Sequence, residues 1–294
     1  MKVKTILSGL LIFLICFIAS SSCSKDQPKQ DMVLVPAGDF MMGCNKAVDM
    51  ECESDEKPYH KVYLDEFYID KYEVTNEQYQ LCVNVSRCRA AHYDDGSCWR
   101  TDSSSSNNWN QGVVSQEFRG GTNPVVCIDW SEAKTYCEYA GKRLPTEAEW
   151  EKAARGTDGR KYPWGNQSIA SGQYGNFVDE SAKRKYSGLT IIVNGYDDGY
   201  AGTAPVGSFP LGVSPYGAMD MAGNVSEWCA DWIDLNYYKN SPRLNPRGPL
   251  TGPYRSVRGG SWDFHPKHLR SALRGRNYIV NRLNNTGFRC AKTP

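Results

Sequence analysis

The chain carries no excess of charge of either sign: 34 Lys and Arg stand against 33 Asp and Glu in 294 residues. A balance this close to neutral leaves no electrostatic footprint for nucleic acid, so that class of partner is excluded from the expectations. No Cys-x-x-Cys pair occurs, which removes the signature of a thiolate zinc site or a thioredoxin-like redox centre. There is no glycine-rich phosphate loop and no Gly-x-Ser-x-Gly nucleophile elbow. Beyond residue 19 no apolar run is long enough to span a bilayer. After Gly156 a long helical pattern is missing too, and glycine, proline and aromatic residues punctuate short strand-like pieces.

What is present begins with an export signal. Lys2 and Lys4 precede an apolar run over residues 6–19, too short for a permanent span but the right length for a secretory core. Ser20, Ser21 and Ser22 then lead to Cys23, an order similar to a bacterial lipoprotein signal. On that reading residues 1–22 are removed and Cys23 is lipidated, although Ser20 stands where such signals commonly have Leu. Ordinary signal cleavage, giving a secreted or periplasmic chain, is the alternative. Residues 24–31 (SKDQPKQD) read as a flexible tether, and residues 32–294 as one domain. The expected location is the extracytoplasmic side of a membrane, in the cell envelope.

Cysteine usage agrees with an oxidising compartment. Setting aside Cys16 and Cys23 leaves nine of the eleven cysteines, and there they are expected to pair. Cys44 with Cys52, around a short acidic loop, and Cys82 with Cys88, at a helix end, are plausible local bridges. Nine is odd, so one thiol, with Cys98 the first candidate, is expected to stay free or pair elsewhere.

Residues 32–43 (MVLVPAGDFMMG) read as two short strands around a turn, and residues 61–70 (KVYLDEFYID) alternate as one half-buried strand. Three capping patterns place helices: Thr75 with Gln78, Asp129 with Glu132, and Thr146 with Glu149. The helices run from Asn76 to about Val83, from Ser131 to Ala140, and from the Pro145-Thr146 pair through Ala154 to a stop at Gly156. Residues 87–122, rich in Ser, Asn and Gly, read as a long surface loop. The expectation is an irregular, loop-rich α+β domain.

Four stretches are more specific: DKYEVTNEQY at 70–79, GKRLPTEAEWEKAAR at 141–155, AGNVSEW at 222–228, and RGGSW at 258–262 with GFRC at 287–290. In this order they resemble the formylglycine-generating enzyme, or sulfatase-modifying factor, family. The resemblance implies a C-type-lectin-like fold of little regular structure, braced by disulfides and calcium, with Cys137 bonded to Cys290. It implies one calcium set of Asn176 and Asp198 side chains with the Phe177 and Tyr200 carbonyls. A second set would be Asp220 and Glu227 with the Gly223 and Val225 carbonyls; oxygen donors of these types suit Ca²⁺. The bland reading of Glu227 is a pair with a nearby arginine.

The family's oxidases hold Cu(I) on two cysteines that follow the Gly-Gly-Ser segment, soft thiolates for a soft ion. Here that segment reads GGSWDFHPKHLR over 259–270, and the two positions are Phe264 and Leu269. Neither side chain can bind copper, so copper is not expected as a cofactor and calcium is. Iron-dependent relatives carry their metal histidines in an added helical domain, for which residues 1–31 offer no counterpart. Asp263, His265 and His268 form a small polar cluster that surface histidines explain as readily as a metal. Arg270, Arg274 and Arg276 either present guanidinium groups to an anionic ligand or pair with acidic loops. Cys127 and Cys229 form a candidate second core bridge. The ligand groove is expected to use Ser261, Trp262, His265, His268 and Arg270.

Two functions follow. One is a binding module of the cell envelope for a protein, peptide or glycan, held to the membrane by its lipid. The other is an oxidase or protein-modifying enzyme of the same family with an altered site.

Overall fold

The computed structural model describes residues 31–101, 109–189 and 192–294. The leader and Cys23 lie outside the described residues. Among the described residues no helix is long and apolar enough to cross a membrane.

The first strands, β1 (Met32–Val35) and β2 (Gly38–Met42), flank the Pro-Ala turn as expected. The alternating stretch after them is two strands, β3 (His60–Leu64) and β4 (Phe67–Asp70). The chain changes sheets at Asp65 and Glu66: β3 pairs with β2, whereas β4 pairs with β1 and with the C-terminal strand β11 (Ala291–Lys292). Asp65 is held at this break by the Asn245 side chain, whose oxygen accepts its N–H at 2.9 Å.

The three capping boxes form. Helix α1 (Asn76–Asn84), α2 (Trp130–Tyr139) and α3 (Glu147–Arg155) each receive a reciprocal pair of bonds, from Thr75 and Gln78, Asp129 and Glu132, and Thr146 and Glu149. Helix α3 ends at Gly156, whose φ of +69° a side chain rarely adopts and whose Cβ would lie 2.9 Å from Pro215. Tyr79 of α1 stacks on Tyr136 of α2, and Phe288 meets both rings edge-on.

Residues 87–122 are more than a surface loop. They carry the hairpin β5 (Trp99–Thr101) and β6 (Trp109–Gln111) and send Cys98, Val114 and Phe118 into the core. Cys98 bonds Cys127, which corrects the expected Cys127–Cys229 bridge and leaves Cys229 as a buried free thiol. The other three bridges are Cys44–Cys52, Cys82–Cys88 and Cys137–Cys290. A short helix, α4 (Glu180–Lys185), follows, and then a four-stranded sheet that carries the site. Its order is β10 (Thr286–Gly287), β7 (Ser226–Trp232), β8 (Tyr254–Arg258) and β9 (Gly275–Tyr278). Trp228 of β7, Trp150 and Trp262 are the largest fully buried side chains among the described residues.

Every residue of α3 is buried, including Glu147, Glu149, Glu151, Lys152 and Arg155. Charges are tolerated there only because each finds a partner. Arg274 grips both oxygens of Glu147 at 2.8 and 2.9 Å, and Arg143 grips Glu149 at 2.7 Å twice. Glu151 accepts from Gly43 N–H, Arg155 and Arg258, and Lys152 donates to the Pro36 and Gly38 carbonyls.

Candidate functional site

A groove of about 920 Å³ opens between the β5–β6 hairpin and the segment that joins β8 to β9. Trp99, Trp109 and Tyr278 stand along it, and Asp263, Phe264, His265 and His268 come from the segment after Gly260. Gly260 has to be glycine: its φ is +71°, and a Cβ there would lie 2.6 Å from the His268 carbonyl.

Phe264 and Leu269, the positions to which the resemblance assigns copper thiolates, carry hydrocarbon side chains. Leu269 is fully buried, packed with Tyr162, Phe177, Tyr196 and Ala222, and Phe264 leans on the same cluster. Just before Phe264, Asp263 accepts a 2.6 Å hydrogen bond from Ser261 Oγ and one of 3.0 Å from Asn285 Nδ2. Burial pushes its carboxyl above the usual range, against those two bonds. Burial, and then the neighbouring Lys267 charge, push His265 and His268 down, so both imidazoles are neutral at pH 7.

The other expected groove residues are placed elsewhere. Ser261 and Trp262 are buried, with the Trp262 indole N–H on the Asn284 carbonyl, so neither lines the groove. Arg270 turns inward, to Glu56 at 2.7 and 2.8 Å and to Asp49 at 2.9 Å. Arg274 is likewise buried on Glu147, and only Arg276 of the three reaches the groove. The reason is local. Asp49, in the loop closed by the Cys44–Cys52 bridge, and Glu56, just after it, take the Arg270 guanidinium. Arg–acid pairing was one of two open readings, but nothing in the spacing named Asp49 and Glu56 as the partners.

One group of His, Cys, Asp and Glu among the described residues brings three or more ligand atoms together: Cys44, Asp49, Cys52 and Glu56. Its sulfurs are bonded to each other and its carboxylates hold Arg270, so it offers no metal site. Asp263, His265 and His268 do not converge in that way.

The first oxygen set suits a divalent cation. Asn176 gives its Nδ2 to Gly202 O at 2.7 Å and Asn224 Oδ1 at 3.1 Å, while its Oδ1 is buried without a partner. Asp198 sits beside Asp179, and burial followed by the Asp179 charge pushes its carboxyl up to about 8. No ion pair offsets either carboxylate among the described residues. A buried acceptor with no donor next to two acids with no cation is the donor chemistry that Ca²⁺ requires. Phe177 and Tyr200 lie at this set, their N–H groups on the Asp198 carboxylate.

The second set is partly spoken for. Glu227 is gripped by Arg289 at 2.7 Å through both oxygens and also accepts from the Trp150 indole at 2.8 Å. Asp220, in the left-handed region at φ +58°, accepts the Gly207 N–H at 2.7 Å. Burial lifts its carboxyl to about 6. Buried Glu73, missed in the sequence, lies against both and is held well above the usual range by burial, then by Asp220 and Glu227. Among the described residues Arg289 is the one cation that these three acids share. Gly223 permits the close approach between the two sets, since a Cβ there would lie 2.2 Å from the Asn176 carbonyl, and Val225 takes its N–H to Glu73.

The comparisons with known proteins agree with this architecture. A family model described as a sulfatase-modifying factor enzyme 1-like domain matches residues 19–294. The formylglycine-generating enzyme of Thermomonospora curvata is 35% identical over 92% of this chain and 96% of its own length. That of Bos taurus is 33% identical over 91% of this chain and 76% of its own. Among solved structures PvdO from Pseudomonas aeruginosa superposes with a TM-score of 0.70 at 27% identity, over 90% of this chain and 94% of that one. With the motif order, the loop-rich α+β architecture of the C-type-lectin-like kind and a match from end to end of the domain, the chain belongs to the sulfatase-modifying factor family.

Proposed function

We propose that this chain is an exported, lipid-anchored member of the family that acts in the cell envelope as a binding module, without formylglycine-generating oxidase activity. Its groove receives a protein segment, peptide or glycan. One observation carries the reading: Leu269, which with Phe264 stands where the resemblance would put the copper thiolates, is fully buried in an apolar cluster. The four disulfides suit an oxidising compartment, and a 920 Å³ groove with aromatic walls persists without those thiolates.

Calcium belongs to this reading as a structural ion. Asn176 and Asp198 would hold it with the Phe177 and Tyr200 carbonyls, and Asp220, Gly223, Val225 and Glu227 are the second candidate set. It would supply the charge that the buried acids lack.

The test is elemental analysis of the purified oxidised domain, then titration with Cu(I) and incubation with a cysteine peptide. Calcium with no tight copper and no aldehyde product supports the binding module. One tightly held copper per chain, or turnover of the peptide, sinks it. A second reading, an enzyme with an altered site, rests on Asp263, whose raised carboxyl shares the groove with two neutral imidazoles, a pairing suited to proton transfer. It requires that Asp263→Asn abolish a turnover that Cu(I) does not influence.

A further inference from the structure

A second cavity, of about 410 Å³, lies at the N-terminal end of α3 and shares no lining residue with the groove. Leu64, Trp130, Leu144, Ala230 and Pro246 give it an apolar side that carries the carboxylate of Asp231, and charged groups, Lys134 with Glu138, Arg143 with Glu149, and Arg247, join the lining. Asp231 is 3% exposed. It accepts the Glu147 N–H at 2.8 Å and takes part in no ion pair among the described residues.

The buried cations nearby are committed elsewhere, and Arg247 of the lining is exposed. Arg274 is bound through two nitrogens to Glu147, and Arg143 through two nitrogens to Glu149. Arg255 lies flat between Trp130 and Trp232, 3.8 and 3.7 Å from the ring centroids, and gives its Nη1 to the Ala230 carbonyl. Burial, and then the charge of Glu147, hold the Asp231 carboxyl well above the usual range. A carboxylate removed from water is costly unless a cation meets it. Here no ion pair takes that place among the described residues, and hydrocarbon and an indole stand beside it. A hard divalent ion would need six or more oxygens, and the lining carboxylates of Glu149 and Glu138 are already held by Arg143 and Lys134. The volume lies within the range typical of small-molecule sites, which combine an apolar surface with a few fixed polar groups.

We propose that this cavity binds a small organic ammonium ion. Its charged head pairs with Asp231 and its hydrocarbon body packs against Trp130, Leu64, Leu144 and Pro246. The cation also meets the face or edge of an electron-rich ring, which adds to its attraction. The site goes beyond the groove and requires nothing of the function assigned there.

The experiment uses the purified chain, with benzylamine as the probe and benzyl alcohol as its neutral counterpart, followed by calorimetry and by the Trp130 indole resonance. Benzylamine is expected to bind once per chain and to shift that resonance, while benzyl alcohol binds far more weakly. Asp231→Asn keeps an oxygen for the Glu147 N–H and removes the charge, and it should weaken benzylamine by about tenfold or more. If that variant does not fold, Ala230→Leu fills the cavity from β7 without touching the carboxylate and should abolish binding. The proposal is overturned if benzylamine fails to bind at millimolar concentration, if benzyl alcohol binds as well, or if whichever variant folds binds benzylamine as the parent does.

Discussion

Two parts of this molecule bury carboxylates, and they solve the problem in opposite ways. Around α3 and the Gly-Gly-Ser segment, Asp49, Glu56, Glu147 and Glu151 are met by Arg155, Arg258, Arg270 and Arg274, acid for base. Against the cost of burial, Arg270 holds Asp49 and Arg274 holds Glu147 below their ordinary values. Around Asn176 and Asp220, the acids Glu73, Asp220 and Glu227 share one guanidinium, Arg289, and Asp179 and Asp198 have no ion pair among the described residues. There burial wins, and Asp198 and Asp220 rise to about 8 and about 6. The first region carries its own counter-charge in the sequence. The second has the electrostatics of a place whose counter-charge arrives from solution.

The sharpest way to break this contrast is to remove a cation from the balanced region. Arg258 donates to Glu151 and to the Ser271, Ala272 and Leu273 carbonyls. Arg258→Met leaves Glu151 short of a partner inside the core, and such losses cost about 3–5 kcal/mol. Urea unfolding should show that loss, and adding Glu151→Leu should recover part of it, because the uncompensated charge goes too. A cost for Arg258→Met within the few tenths typical of a surface change would mean the network stabilises nothing.

Calcium comes next in size and acts on the other region alone. A ligand at about 100 times its dissociation constant adds about 2.7 kcal/mol to a folded state that binds it and an unfolded state that does not. The melting temperature should fall with EDTA and return with calcium. Asn176→Ala should remove most of that response, while Arg258→Met keeps it in full. A melting curve indifferent to EDTA and to added calcium would end the calcium assignment.

Acid and base should then move the two regions in opposite directions. Asp198 has a folded pKa above its unfolded one, so its contribution is complete below the unfolded pKa and is lost as pH rises through about 8. Without calcium, stability should decline from neutrality upward, and calcium should flatten that decline. Glu147 has a folded pKa below its unfolded one, so its contribution is present above the ordinary carboxylate range and is lost as pH falls through the folded value. EDTA-treated protein whose stability rises between neutrality and about pH 8 would contradict the first half of this.

How much of this was legible in the sequence follows from the range of each interaction. Thr75 with Gln78, Asp129 with Glu132 and Thr146 with Glu149 meet within one helical turn, and all three boxes formed within a residue or two of their expected starts. The eight- and six-residue bridges were legible for the same reason. Cys98 was set aside because residues 87–122 look polar, yet its partner is 29 positions on and the fold draws that segment inward. Arg270 meets Glu56 across 214 positions, so composition alone could not tell a groove residue from a buried clamp. Helix α3 misleads for a related reason: a string of Glu, Lys and Arg reads as solvated, and only distant arginines and carbonyls make it a core helix. Asp231 was invisible, since its interest lies in partners it does not have.

The smallest effect separates helix propensity from charge balance. Thr146 Oγ1 accepts the Glu149 N–H at 3.1 Å, and Glu149 Oε2 returns a bond to the Thr146 N–H at 2.8 Å. Thr146→Ala deletes the first bond and keeps the second, along with the Arg143 grip on Glu149. Caps of this kind are worth about 1 kcal/mol. Because α3 is held at both ends by ion pairs, the helix should survive, and the loss should appear as a modest fall in the urea midpoint at unchanged slope. Glu147 follows Thr146 directly, so a frayed first turn would also loosen Arg274 and carry the cost toward that of Arg258→Met. A Thr146→Ala loss near 1 kcal/mol, with the calcium response intact, assigns the stability of α3 to its arginines. A loss several times larger would show that the cap aligns the first turn on which those arginines depend.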